Sequence, residues 1–163
     1  MIDTNSQTEQ QQEQPQSQPQ DETLPNLPLT CLETAEFTNT IDAFRGKNTI
    51  IDFWTTKCTR CPAALDHLHT LSTAPLYTSL TFASIVCDSC DAARNILESS
   101  STPRWSNIHH YYMDPESKEV AKELLGFAQV PFYVVLNEEG RIVAKGGKKR
   151  IDFEGLPEWC LHR

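Results

Sequence analysis

Thirteen residues, Ile50 to Pro62 (I-I-D-F-W-T-T-K-C-T-R-C-P), restrict the fold more than any other part of the chain. They begin as an apolar run (Ile50, Ile51, Phe53, Trp54) interrupted by one acid, Asp52. They then pass through Thr55, Thr56 and Lys57 into Cys58-x-x-Cys61. The β-branched and aromatic content from Asn48 to Trp54 reads as a buried central strand. Pro62 suits the first turn of a helix, where its missing N–H removes no intrahelical bond. The unsatisfied N–H groups at such a helix start favour negative charge, so Cys58 there ionises more readily than a free thiol. The two-residue spacing lets Cys61 reach back to close a disulfide while it stays the more buried, less reactive sulfur.

The rest of the composition bounds what this unit is embedded in. A chain of 163 residues with 39% hydrophobic content has room for one domain with an ordinary core. No apolar run is long enough for a membrane span, and the N-terminus lacks the basic and apolar regions of a secretory signal. The expected compartment is therefore the cytoplasm, where thiol pairs tend to be catalytic or metal-bound. Net charge is −8, unevenly spread: residues 1–23 carry Asp3, Glu9, Glu13, Asp21 and Glu22 and no Lys or Arg. That leaves 14 basic and 17 acidic residues elsewhere, with no basic face for a nucleic acid. Residues 1–23, rich in Gln, Ser, Pro and acids, read as a disordered tail, and 24–163 as the domain.

Along that domain, the prolines after Leu24 give an extended lead-in, with a short strand at Leu29–Leu32 and a short helix at Thr40–Phe44 stopped by Gly46. The helix after Cys58 should run to about Leu71, with Ala63, Ala64, Leu65, Leu68 and Leu71 as its apolar stripe. Leu80–Val86 reads as a strand parallel to the first, because a helix makes the crossover. A helix at Asp91–Glu98, a loop at Ser99–Asn107 and a short strand at His109–Met113 follow. Next comes a helix at Ser117–Leu125, patterned on Ser117, Val120 and Leu124 and stopped by Gly126. Pro131–Leu136 and Arg141–Lys145, joined by a turn at Asn137–Gly140, read as a β-hairpin, and Leu156–Leu161 as a last helical turn or two. The fold class is α/β: a central mixed sheet with helices on both faces.

The order D-F-W-x-x-x-C-x-x-C (Asp52 to Cys61) followed by Val130-Pro131 ahead of a strand and hairpin resembles the thioredoxin superfamily, over roughly residues 24–155. The long stretch from Leu80 to Gly126, with an extra strand-helix segment, and the Arg45-Gly46-Lys47 lead-in are similar to the TlpA-like, tryparedoxin and nucleoredoxin branches. The resemblance implies a thiol:disulfide oxidoreductase that needs no cofactor. Cys58 would be the attacking thiolate and Cys61 the resolving thiol, with Arg60 favouring the thiolate. Asp52, buried in its strand, would have a raised pKa and take the proton from Cys61. Pro131 resembles the family's cis-proline, which would set the Val130 backbone beside Cys58 to pair with an extended substrate segment. Trp54, Lys57, Thr59 and Arg60 complete the expected substrate surface. The partners implied are a protein or low-molecular-weight disulfide and an upstream reductase or thiol donor, with no membrane. The chain departs from the family at Lys57, where Trp is usual, and at Thr59-Arg60 inside the motif, which puts substrate range and electron donor in question.

Other readings compete. A second pair, Cys87-Asp88-Ser89-Cys90, ends the Leu80–Val86 strand and could relay electrons, form a regulatory disulfide or be two inert thiols. Two Cys-x-x-Cys pairs invite a structural zinc, although strand and long helix are not the tight turns of a zinc knuckle. Thr55-x-x-Cys58 resembles peroxiredoxins, which would need Pro where Ile51 stands. A redox-weak thioredoxin-fold binding module is the rival from another class. Cys31 and Cys160 read as free thiols, and the five histidines as polar surface residues. Lys145 to Arg150 forms a basic cluster, either solvated or turned toward an acidic client or glutathione.

Overall fold

Every residue of the strand Thr49–Trp54 is buried, because it is paired along both edges and covered on both faces. The computed structural model describes residues 22–99 and 104–161, without the side chains of 159–161. Most of the expected tail and part of the Ser99–Asn107 loop lie outside the described residues. In chain order the elements are β1 (Pro28–Cys31), β2 (Phe37–Asn39), α1 (Thr40–Phe44), β3 (Thr49–Trp54), α2 (Cys61–Thr73), β4 (Thr81–Val86), α3 (Cys90–Leu97), β5 (His109–Tyr112), α4 (Pro115–Leu125), β6 (Phe132–Leu136), β7 (Ile142–Gly146) and α5 (Leu156–Leu161).

The seven strands form one mixed sheet in the order β2-β1-β5-β4-β3-β6-β7. β3 runs parallel to β4 and antiparallel to β6, and β4 runs parallel to β5. The expected extra segment is α3 with β5, and β5 lies between β4 and β1. Because side chains alternate along a strand, the sheet has two cores. Ile50 and Trp54 join Cys61, Ala64, Leu65 and Leu68 of α2, with Ala93 of α3 and Leu156 of α5. Ile51 and Phe53 join Phe44 of α1 with Ala121 and Leu125 of α4.

Four features differ from the sequence reading. The edge strand β2 was not expected; it is three residues long and its Phe37 is 90% exposed. Glu22 and Thr23, expected in the tail, belong to the domain: Thr23 bridges Arg141, and Glu22 pairs with Lys145. Ala63 of α2 is exposed, since its neighbour Ala64 faces the sheet instead. On α4 the buried stripe is Ser117, Ala121 and Leu125, while Val120 and Leu124 face outward. The helix start fixes that phase. Asp114 caps it by accepting from the Ser117 N–H and hydroxyl at 2.9 and 2.7 Å, bonds that also hold its carboxyl below the usual range. Gly126 ends the helix at φ 76, a left-handed cap that a β-carbon would strain.

The two leucines at the end of α4 therefore separate the assignments. Leu125→Ala should cost about 2–5 kcal/mol in urea unfolding, and Leu124→Ala within about 0.5 kcal/mol. Equal losses would mean that α4 is rotated.

Candidate active site

Cys58 and Cys61 form a disulfide with Cα atoms 5.4 Å apart. Helix α2 begins at Cys61, so Cys58 sits in the turn before it, where its N–H donates to the Thr55 carbonyl at 3.3 Å. Arg60 occupies the cap position without a side-chain cap bond, and Pro62 takes the first turn as its missing donor allows. Cys61 is fully buried in the α2-side core, whereas Cys58 is half-buried and Lys57, Thr59 and Arg60 are exposed. A partner can thus reach one sulfur of the bond and not the other.

The Val130–Pro131 peptide bond is cis, and the Val130 carbonyl oxygen lies 3.6 Å from Cys58 Sγ. Beside this loop is a hollow of about 550 Å³ floored by Leu125, Phe127 and Phe132 and edged by Lys145 and Arg150. Of the basic cluster, Lys145 is engaged by Glu22, while Lys148, Lys149 and Arg150 are exposed on a 3-10 turn.

Asp52 lies in β3 on the face toward α2, in register with Tyr133 of β6 and Ser84 of β4. It is 0% exposed, and neither carboxyl oxygen has a hydrogen-bond partner among the described residues. Burial pushes its pKa well above the ordinary carboxylate value. The Tyr133 hydroxyl is also buried without a partner among the described residues, and burial, aided by the charge of Asp52, pushes that phenol up. Trp54 is 1% exposed, so the indole expected to meet substrate forms the floor beneath the pair instead. It packs edge-on against Trp105 at 6.0 Å between centroids.

Parallel pairing of β3 and β4 brings the second Cys-x-x-Cys segment to the same end of the sheet, but its sulfurs do not meet. Both thiols are free; Cys87 packs in the α4-side core and Cys90 against the α2-side core. Burial pushes the Cys87 thiol up to about 12, leaving almost no thiolate near neutrality. The residue that reaches the redox loop is Asp88. Its carboxylate accepts from the Thr56 N–H at 3.0 Å and from the Thr56 hydroxyl at 2.7 Å, tying the turn before Cys58 to the end of β4. Among the described residues no set of three or more His, Cys, Asp or Glu is placed to hold a metal ion. His110, read as a surface residue, is 4% exposed and fully hydrogen-bonded. The missed residues Ser84 and His110 left one signal, polar side chains in phase with the buried positions of their strands.

Neither a scan of protein families nor a search of curated proteins finds a match to this chain. Solved structures match by shape. The thioredoxin domain of a thiol-disulfide oxidoreductase from Bacteroides vulgatus superposes with a TM-score of 0.67 at 19% identity, covering 86% of this chain and 96% of that one. Yeast Sco1 gives 0.66 at 19% identity over 88% and 95%. A thiol:disulfide interchange protein from a Bacteroides species gives 0.64 at 19% identity over 77% and 79%. The fold is thus thioredoxin-like.

Two variants test the geometry of the site. Because folding raises the Asp52 pKa, the native state holds that proton more tightly than the unfolded chain. Stability is unaffected below the ordinary carboxylate range and falls as pH climbs through the raised native value. Asp52→Asn should remove this slope and be more stable than the parent at pH 8 by more than about 1 kcal/mol in urea unfolding. Parallel stability–pH curves for the two proteins would contradict the buried, unpaired carboxyl. Asp88→Ala should speed hydrogen exchange of the Thr56 amide by at least about tenfold, the scale of one hydrogen bond to a charged group. Unchanged exchange would show that the loop holds itself.

Proposed function

We propose that this chain is a thiol:disulfide oxidoreductase that cycles between a Cys58/Cys61 dithiol and their disulfide. The observation that carries the reading is the asymmetry of the pair: an accessible Cys58 beside the Val130 carbonyl, and an enclosed Cys61 on the same face as an unpartnered Asp52.

In the reductive direction, the Cys58 thiolate attacks one sulfur of a substrate disulfide, and the other leaves as a thiolate. The Cys61 thiol gives its proton to Asp52 and attacks the Cys58 sulfur. That step releases the second substrate thiolate and closes the Cys58–Cys61 bond, so two electrons have passed to the substrate. Asp52 suits the proton step because burial raises its affinity for a proton above that of an ordinary carboxylate. An external dithiol or reductase restores the reduced pair. Working as a reductant calls for a reducing compartment, in keeping with the cytoplasmic expectation.

The substrate segment runs along Val130 in extended form, its backbone facing the Val130 peptide groups. Lys57, Thr59 and Arg60 are exposed around the pair and meet whatever approaches it. Two cations there favour acidic surroundings on a client disulfide, mainly by speeding encounter.

Cys58→Ser should reduce insulin-disulfide reduction to the uncatalysed background. Cys61→Ser should accumulate a mixed disulfide on Cys58, seen as a mass adduct that dithiothreitol removes. Full turnover by Cys58→Ser would overturn the assignment.

A further inference from the structure

Four side chains stand in one row across the sheet beneath α2. Strand register sets Tyr133 beside Asp52, Asp52 beside Ser84, and Ser84 beside His110. All four are buried: His110 is 4% exposed and the others 0%. Ser84 and Tyr133 are thus the two hydroxyl residues directly in register with a carboxylate that has no donor among the described residues, and neither bonds to it.

For Ser84, the hydrogen bonds around His110 say why. Its Nε2 lies 3.1 Å from the Trp105 carbonyl oxygen. A carbonyl can only accept, so Nε2 carries the ring proton and Nδ1 is the bare nitrogen of a neutral imidazole. The Ser84 hydroxyl, 2.7 Å from Nδ1, must then donate to it. The remaining lone-pair capacity of Ser84 Oγ faces the Trp54 indole N–H, which donates at 3.3 Å. The single proton of Ser84 is committed away from Asp52. The network continues outward, with the Trp105 indole donating to Asp66 of α2 at 2.6 Å and Arg104 lying 4.3 Å over the Trp105 ring. Burial lowers the His110 pKa to about 4, and the neighbouring His109 and His69 act in the same direction, so the arrangement holds at neutral pH.

We propose that His110 is a positioning residue for the redox centre: by accepting the Ser84 hydroxyl proton, it withholds that donor from the neighbouring Asp52 carboxyl. A carboxylate given a donor binds its proton less tightly, since the bond favours the charged form. On the α2 side of the sheet, Tyr133 of β6 and Ser84 of β4 flank Asp52 in register and the Cys58–Cys61 pair lies at the start of α2, while Cys87, beyond the end of β4, packs in the opposite core and feels Asp52 only as a charge. Among these Ser84 is the one with a donor already committed elsewhere. The proposal rests on the reading of Asp52 as the base for Cys61.

The test is the titration of the Asp52 carboxyl itself, followed by carboxyl carbon NMR or infrared difference spectroscopy in the full chain. In His110→Phe the Ser84 hydroxyl is released, and Asp52 should bind its proton at least about tenfold more weakly, the scale of one bond to a charged group. His110→Gln, whose amide can still accept from Ser84, should stay close to the parent. Adding Ser84→Ala to His110→Phe should restore tight proton binding. His110→Leu gives the same readout if Phe does not fit. An unmoved Asp52 titration in a folded His110→Phe or His110→Leu protein would overturn the proposal, as would the same shift with Ser84 removed. Insulin reduction separates the two readings: a shifted Asp52 with unchanged turnover upholds the His110–Ser84 lock and removes the role of Asp52 as base.

Discussion

β3 is paired along its whole length with β4 on one side and from Thr49 to Phe53 with β6 on the other, and the geometry of the site follows from that double pairing. The antiparallel partner β6 follows Pro131 directly, so the pairing draws Val130 to the end of β3 where Cys58 emerges. The parallel partner β4 ends at the same edge and sends Asp88 onto Thr56. The alternation of β3 puts Asp52 and Trp54 on the α2 face and Ile51 and Phe53 on the other. A shift of one residue in register would exchange the two sets, placing the acid in the α4-side core and a phenylalanine under the disulfide.

Such an arrangement costs stability. A carboxyl shut away from water without a donor is unfavourable whenever it is charged, and the fold carries it beside a tyrosine hydroxyl in the same condition. The surrounding core outweighs this locally: burying one leucine such as Leu65 or Leu68 contributes roughly 2 kcal/mol, and α2 brings both. The polar row across the sheet divides into a satisfied half, Ser84 with His110, and an unsatisfied half, Asp52 with Tyr133. Its unsatisfied half includes β3, the strand that leads into the redox pair.

Much of this was legible in the chain because it is encoded locally. The apolar β-branched run of β3, the spacing from Cys58 to Cys61, and a proline ahead of an apolar strand are each readable within a few residues. Illegible features depend on partners distant in sequence. Nothing in L-T-F-A-S-I-V says that Ser84 meets a histidine 26 residues on. Trp105 falls in a segment that reads as loop, yet it packs against Trp54 and is 3% exposed. β2 escapes because its Phe37 points to solvent and its turn is made by Ala35 at φ 60, where a glycine or asparagine would have announced it. The α4 stripe begins at Ser117 as the pattern suggests, but continues through Ala121 and Leu125 and not through Val120 and Leu124, because the Asp114 cap and the approach of the helix to the sheet set its phase one position on.

The central claim is that the Cys58–Cys61 bond is made and broken in service and does not merely brace the fold. Its most direct measurement is the equilibrium between the bonded and open forms across thiol redox buffers, with alkylation and mass spectrometry to count free sulfurs. A two-electron couple lying between about −300 and −120 mV, the span from strongly reducing to strongly oxidising catalysts of this chemistry, is the result expected. A bond that stays closed at potentials well below about −300 mV would mark it as structural and contradict the account.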